Sequence, residues 1–465
     1  LGIAVLLIPV IWLGNPAGEL DKVTKKPVGG GKLAQLRQEY ELGDTSLGDV
    51  DPASSTMTLV LLGFRGIAAN MLWMEAIEHQ KLKNWAQLRA NVDSIILLQP
   101  HFLSVWDFQG WNLAYNVSAQ WDAVPDRYYW VKEGAKFEMK GASRNSRFPE
   151  CYWWTGRILG HKIGRSDEWR YFRQFFRVDP NREEFEDGPD PEMSIFEGRE
   201  FYDNYLAAKY WYQTANLRDE LHEQNIQEPL IFREHPAKSQ LDYAEALQRE
   251  GKFGEITREA WATANRNWTT KYDENGKDGF GLEHFLVLPV GGYVFLEADT
   301  DEEIKELIVD RDNAEYNEDS IAGKWRAIDQ FQNIVNYRYW RTRSQAESDG
   351  ITEKAHRDLY EGKQLFKAAR NSEAKERLLS GMQDFETLLG KYPVLLTDSI
   401  TIEECLMAFL YLQSIYQLEQ IPMPKDLPLR RENPQPGFPA QNLVQQHKTG
   451  LPSLIKRFKH EISGL

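Results

Sequence analysis

The feature that most constrains this chain is an echo. QPHFLSVWDFQGWNLAY begins at Gln99 and NSRFPECYWWTGRILGH begins at Asn145. At an offset of 46 residues, Phe102 aligns with Phe148, Trp106 with Tyr152, Gly110 with Gly156 and Leu113 with Leu159. Each segment follows one expected helix and opens another. Self-similarity at this period marks stacked supersecondary units, each too small to bury its apolar face alone.

The flanking sequence reads as helix pairs. Residues 58–81 place apolar side chains at mixed three- and four-residue spacing, and WAQLRANVDSIILL follows behind Asn84, an N-cap residue type, and ends before Pro100. Asp179-Pro180-Asn181 closes a further helix. Helices are expected from Phe201, from Ala237, and from Phe253 after the Gly251 turn. Residues 271–300 break the pattern. KYDENGKDGFG is a turn cluster, and HFLVLPVGGYVFLE is β-prone around Gly291-Gly292, so a small irregular or β insert is expected. Asp273, Asn275 and Asp278 do not make a calcium loop, because Lys277 and Asp278 take the fifth and sixth places. Helical spacing returns from Ser320, with further helices over 352–369, 372–391 and 398–419. Residues 422–439 hold six prolines and read as an extended surface segment. The tail LPSLIKRFKHEISGL reads as an amphipathic helix that caps the last repeat, with a membrane or partner contact as the alternative.

These helix pairs resemble tetratricopeptide repeats. The window 237–268 offers Ala244 as a small crossing residue and Gly251-Lys252-Phe253 as its turn, but has Ile256, Thr263 and Trp268 where the family has small residues and Pro. The window 362–393 offers Ala369, Gly381, Phe385 and Pro393, and departs at Asn371-Ser372. The window 69–100 keeps Leu88, Val92, Ile95 and Pro100. GFRGIAANMLW with LLQPHFLSVW is also similar to bacterial membrane-anchored repeat proteins of unassigned function. The resemblance implies an all-α, right-handed solenoid of helix hairpins whose concave groove binds peptide segments, without catalysis. The helical repeats would run over 58–270 and 301–420, with the Pro-rich tail and terminal helix over 421–465.

The first residues, LGIAVLLIPVIWL, are apolar and uncharged. Thirteen helical residues span about 20 Å of a hydrocarbon core about 30 Å thick. Residues 1–14 are therefore expected to be the C-terminal part of a signal-anchor helix, with a cleaved signal peptide as the alternative. Residues 15–57, rich in Gly, Pro, Ser, Asp and Lys, read as a linker. A single-pass membrane protein with its body on the periplasmic or extracytoplasmic side is the resulting expectation.

Composition narrows the function classes. A formal net charge of −15 repels phosphate backbones, so no nucleic-acid partner is expected. The two cysteines, Cys151 and Cys405, have no metal or haem spacing and read as unpaired core thiols. The nine histidines form no H-E-x-x-H, and no phosphate loop, dinucleotide fingerprint or hydrolase elbow occurs. No metal, cofactor or catalytic residue is therefore assigned. The 15 Trp, 20 Tyr and 22 Phe supply either core area or a groove lining. Trp106, Trp111, Trp153 and Trp154 are the candidate binding face, each competing with plain core packing. The expected function is a membrane-held scaffold or adaptor for a protein or peptide partner. Two alternatives remain. One is an accessory subunit of a membrane transporter or respiratory assembly. The other is a carbohydrate-active α/α toroid, whose two carboxylates would be Asp107, between Trp106 and Phe108, and Glu150, beside Tyr152-Trp153-Trp154.

Overall fold

The computed structural model describes residues 65–222, 229–269, 286–287, 293–294 and 332–463. The expected anchor (1–14), linker (15–57) and most of the 271–300 insert lie outside the described residues. Among those described, no helix is long and apolar enough to cross a membrane. The described chain is mostly helical, and it divides into two compact units, Leu1–Pro236 and Ala237–Leu465. The division falls inside the helical run read as 58–270. It lies within a single helix, at Pro236, which has no backbone N–H to donate.

The first unit opens with helices α1 (Arg65–Lys81) and α2 (Trp85–Leu98), which pack together. Leu88, Val92 and Ile95 are buried at helical spacing on one face of α2. Asn84 sits at the cap position, but its side chain makes no capping bond. Next come α3 (Leu103–Trp111), α4 (Val124–Arg144), α5 (Glu150–Arg157) and α6 (Trp169–Arg177). Pro125 in the first turn of α4 stands where a missing N–H does no harm. Residues 178–203 carry two one-turn helices and a hairpin of β1 (Ile195–Phe196) and β2 (Arg199–Glu200), then α7 runs over Asn204–His222. Buried Lys132 of α4 ties this loop down, with Nζ 2.6 Å from Asp179 and 3.0 Å from Asp190.

The echo recurs in three dimensions. Both α3 and α5 loosen into a π-helical stretch, Asn112–Val117 and Ile158–Lys162, and their first residues are again 46 apart. Gly110 lies against Glu138 of α4, and Gly156 lies against Tyr212 of α7. Gly134 lies against Ala114, and Gly160 against Ala208. Trp106 packs on Phe137 with centroids 4.9 Å apart, and Tyr152 packs on Trp211 at 5.7 Å. The second helices of the two pairs are offset by 74 residues (Glu138 to Tyr212), because the connection into α7, which includes residues 166–203, is 28 residues longer than the one into α4 (74 less 46). The α3–α4 and α5–α7 pairs therefore cross in the same way at the same small residues, and α4 packs on α5 between them.

The second unit contains α8 (Pro229–Arg249, from Ala237 onward), α9 (Glu255–Thr269), α10 (Tyr337–Glu347), α11 (Gly350–Lys367), α12 (Asn371–Lys391), α13 (Ser399–Leu418) and α14 (Leu451–Ser463). Gly251 turns the chain between α8 and α9 with φ +73, the left-handed region that glycine tolerates best. Gln240 Nε2 of α8 donates to the Ala260 carbonyl of α9 at 3.1 Å. Strands β3 (Leu286–Val287) and β4 (Tyr293–Val294) pair antiparallel inside the insert region. The window 362–393 is not one helix pair, since it holds only the last turn and a half of α11 before the turn at Ala368–Arg370, where Ala369 has φ +57. The true hairpin is α11–α12, where Gly362 meets Leu378 and Gly381 meets Leu359. In the tail, Leu454 and Phe458 of α14 join the core, and Phe458 lies 4.8 Å from the Tyr411 ring of α13.

A buried polar network holds this unit together. His356 of α11 bridges two carboxylates, with Nδ1 2.9 Å from Glu404 and Nε2 3.1 Å from Glu347. Burial disfavours its charge, but Glu404 and Glu347 outweigh burial and raise its pKa from 6.5 to about 10. Arg343 faces Glu347 from α10, and Gln248 donates to Glu347 from α8. The charged bridge therefore stabilises the fold fully below pH 6.5, and the contribution is lost as pH rises toward about 10. The gap in urea midpoint between the wild-type protein and His356→Gln is expected to be widest near the lower end and to close toward the upper end. A gap that stays constant over that range refutes the charged bridge.

Candidate functional site

Three helices, α3, α4 and α5, bring together what the sequence kept apart. Asp107 on α3, Glu138 on α4 and Cys151 on α5 present one carboxylate oxygen each, and a sulfur, all within 4.8 Å of one another. Glu138 and Cys151 are fully buried, and Asp107 is half-buried. Glu150, half-buried at the start of α5, adds a third carboxylate whose charge acts on Asp107.

The glycines explain how a carboxylate reaches the middle of a helix crossing. A Cβ on Gly110 would stand 2.2 Å from Glu138 Oε1, so the missing side chain makes the space that the carboxylate fills. A Cβ on Gly141 would stand 3.0 Å from Cys151 Sγ and 3.1 Å from the Trp106 ring. Apart from the Cys151 thiol, neither Glu138 oxygen has a hydrogen-bond partner among the described residues, and Asp107 Oδ1 and Glu150 Oε2 have none.

Such crowding disfavours negative charge. Burial, then the charge of Glu150, push Asp107 up to about 7, against a hydrogen bond from Trp154. Burial and the charge of Asp107 hold Glu138 well above the usual carboxylate range. Burial raises Glu150 as well. Burial and the three carboxylates push the Cys151 thiol well up. Burial and mutual repulsion thus both favour the protonated forms in this cluster.

The four nominated tryptophans have different places. Trp106 is fully buried in the core, and its indole N–H donates to the Pro100 carbonyl at 2.9 Å. Trp111 is 37% exposed and stacks on Tyr115 at 5.9 Å. Trp153 and Trp154 are half-buried and meet edge to face at 5.1 Å. The two carboxylates named as a possible catalytic pair, Asp107 and Glu150, do lie in one cluster. Sequence reading missed Glu138, whereas Cys151 is the free, buried core thiol it expected. A signal for Glu138 was present, because Tyr128, Val131, Ala135, Glu138 and Ala142 form one helical stripe and a single acid interrupts it.

Register adds a further fact. The residue 46 after Asp107 is Trp153, and the residue 74 after Glu138 is Tyr212. Trp153 and Tyr212 pack against each other at 6.2 Å. Where the first hairpin holds two acids, the second holds an aromatic pair.

Compared with known proteins, this chain matches no family model, no curated protein and no solved structure.

Proposed function

We propose that this chain is a non-enzymatic scaffold or adaptor. In this reading its hairpins form a right-handed, tetratricopeptide-like solenoid held at a membrane by the N-terminal helix, with the body on the extracytoplasmic side. A protein or peptide partner lies along the helical-repeat groove. The supporting observation is the shared crossing of α3–α4 and α5–α7. A unit built twice with one contact pattern extends a surface rather than enclosing a reaction centre. Trp111 is the residue of the nominated face best placed to meet a partner, since part of its ring is open to solvent.

The test is a photo-crosslinking amino acid at position 111 of the full chain in native membranes. A discrete adduct from position 111, absent when the same group replaces buried Trp106, is the expected result. A protein that runs alone from both positions sinks the scaffold reading.

One observation favours a second reading, a carbohydrate-active enzyme. Asp107, held at about 7, has the raised pKa of a general acid and shares its cluster with Glu150. Clearance of a sugar polymer by the purified protein, abolished by Asp107→Asn, would establish that reading in place of the scaffold.

A further inference from the structure

We propose that Asp107, Glu138 and Cys151 bind a single zinc-class divalent cation, with the neighbouring Glu150 completing the donor set, and that this ion staples α3, α4 and α5 together. The proposal rests on geometry. The donor atoms already lie within 4.8 Å of one another. Ligands about 2.0–2.3 Å from a tetrahedral ion stand roughly 3.3–3.8 Å apart, so small side-chain rotations close the site.

The second observation is Glu138 itself. It is wholly enclosed, the Cys151 thiol is the one group beside it that offers its oxygens a hydrogen bond among the described residues, and it points into the cluster. A buried carboxylate in that state is costly unless an ion or a proton answers it. The fold does not need it there. At the same register of the next hairpin, Trp153 and Tyr212 fill the crossing with rings. Four features of α3, α4 and α5 are instead arranged for a ligand: an acid on α3, an acid on α4, a thiol on α5, and Gly110 making room.

The donor chemistry selects the ion. Magnesium and calcium take oxygen ligands, whereas a thiolate beside carboxylates suits a borderline ion such as Zn²⁺. Binding would displace the Cys151 thiol proton and carboxyl protons to solvent, and the ion's two positive charges would offset two of the negative charges left behind, so a donor carboxyl that keeps its proton limits the excess. The enclosure of Glu138 and Cys151 points to a structural site rather than a catalytic one.

The full chain, stripped with a chelator, is titrated with Zn²⁺ and in parallel with Co²⁺. The expected result is one tightly bound equivalent, with a thiolate-to-cobalt charge-transfer band in the Co²⁺ form. Cys151→Ser should abolish the band, Glu138→Gln should weaken Zn²⁺ at least tenfold, and Asp122→Asn on the exposed surface should change neither. Absence of Zn²⁺ binding overturns the proposal. So does unchanged affinity in both Glu138→Gln and Cys151→Ser, which would mean an adventitious surface ion only. If Glu138→Gln does not fold, the cobalt band in Cys151→Ser decides.

Discussion

Arg343→Ala is expected to destabilise the Ala237–Leu465 unit by about 3–5 kcal/mol, the range for removing one partner of a buried ion network. Arg343 is 3% exposed, and its guanidinium is 3.0 Å from Asp398, 3.6 Å from Glu245 and 3.7 Å from Glu347. It also donates to the Tyr339 hydroxyl at 2.8 Å. Truncation leaves three carboxylates without their shared cation. Asp398 has a second duty as N-cap of α13, accepting from the Ile400 and Thr401 backbone N–H groups. Charge loss therefore also loosens the start of a helix that supplies much of the second core. Burial opposes the charge on Asp398, yet Arg343 leads the groups that hold its pKa below the ordinary value. The variant should recover part of its deficit on mild acidification, when protonation removes the unanswered charge. Arg343→Lys should fall between, because an ammonium keeps the charge but not the fork. Urea denaturation followed by tryptophan fluorescence measures all three. A loss under about 1 kcal/mol would place the network among surface-like pairs and refute its structural role.

The second large effect is expected at Gly134. A Cβ there would lie 2.6 Å from the Gly110 carbonyl oxygen and 2.8 Å from both Ala114 Cβ and Ala114 N. These are backbone and near-backbone atoms of the facing helix, which cannot swing aside. Gly134→Ala must push α4 away from α3, and overpacking of this kind costs about 1–3 kcal/mol or more. Alanine's better helix propensity returns roughly 1 kcal/mol, so the three backbone and near-backbone clashes must put the cost at the upper end, for an expected net loss of about 2 kcal/mol. Gly110→Ala makes a useful contrast, because the three atoms nearest its Cβ all belong to the Glu138 side chain. Removing that side chain with Glu138→Ala should rescue Gly110→Ala and leave Gly134→Ala unrescued. The four variants, compared by thermal unfolding, form the test. Equal rescue of both glycine variants would show that the helices do not meet as closely as described.

Gly110 also shows how far the candidate site was legible. Gly110 was singled out by its echo at Gly156, and both turned out to be helix-crossing positions. Asp107 and Glu150 were singled out by their aromatic neighbours, and both turned out to belong to one cluster. Glu138 interrupts an apolar stripe, a pattern visible in α4, but a stripe does not reveal what faces it. Cys151 carried no usable spacing. Metal motifs are recognised when ligands sit a few residues apart on one loop or helix turn, and here each ligand comes from a different helix.

Local chemistry by itself determined the helices, their turns and the duplicated hairpin. Periodicity within α2, the proline at the head of α4, the glycine after α8 and the 46-residue echo all act between residues close in the chain, or by repeating such a pattern. Tertiary structure decided the rest. It moved the hairpin read at 362–393 to α11–α12, because the Ala368–Arg370 turn and the crossing at Gly362 and Gly381 outweigh a partial motif match. It drew Trp106 into the core while leaving Trp111 partly open, although both lie on α3. It also closed Asp107, Glu138 and Cys151 around one point. Burial and charge coupling depend on which helices face each other, and that pairing is a property of the packed chain rather than of any stretch of it.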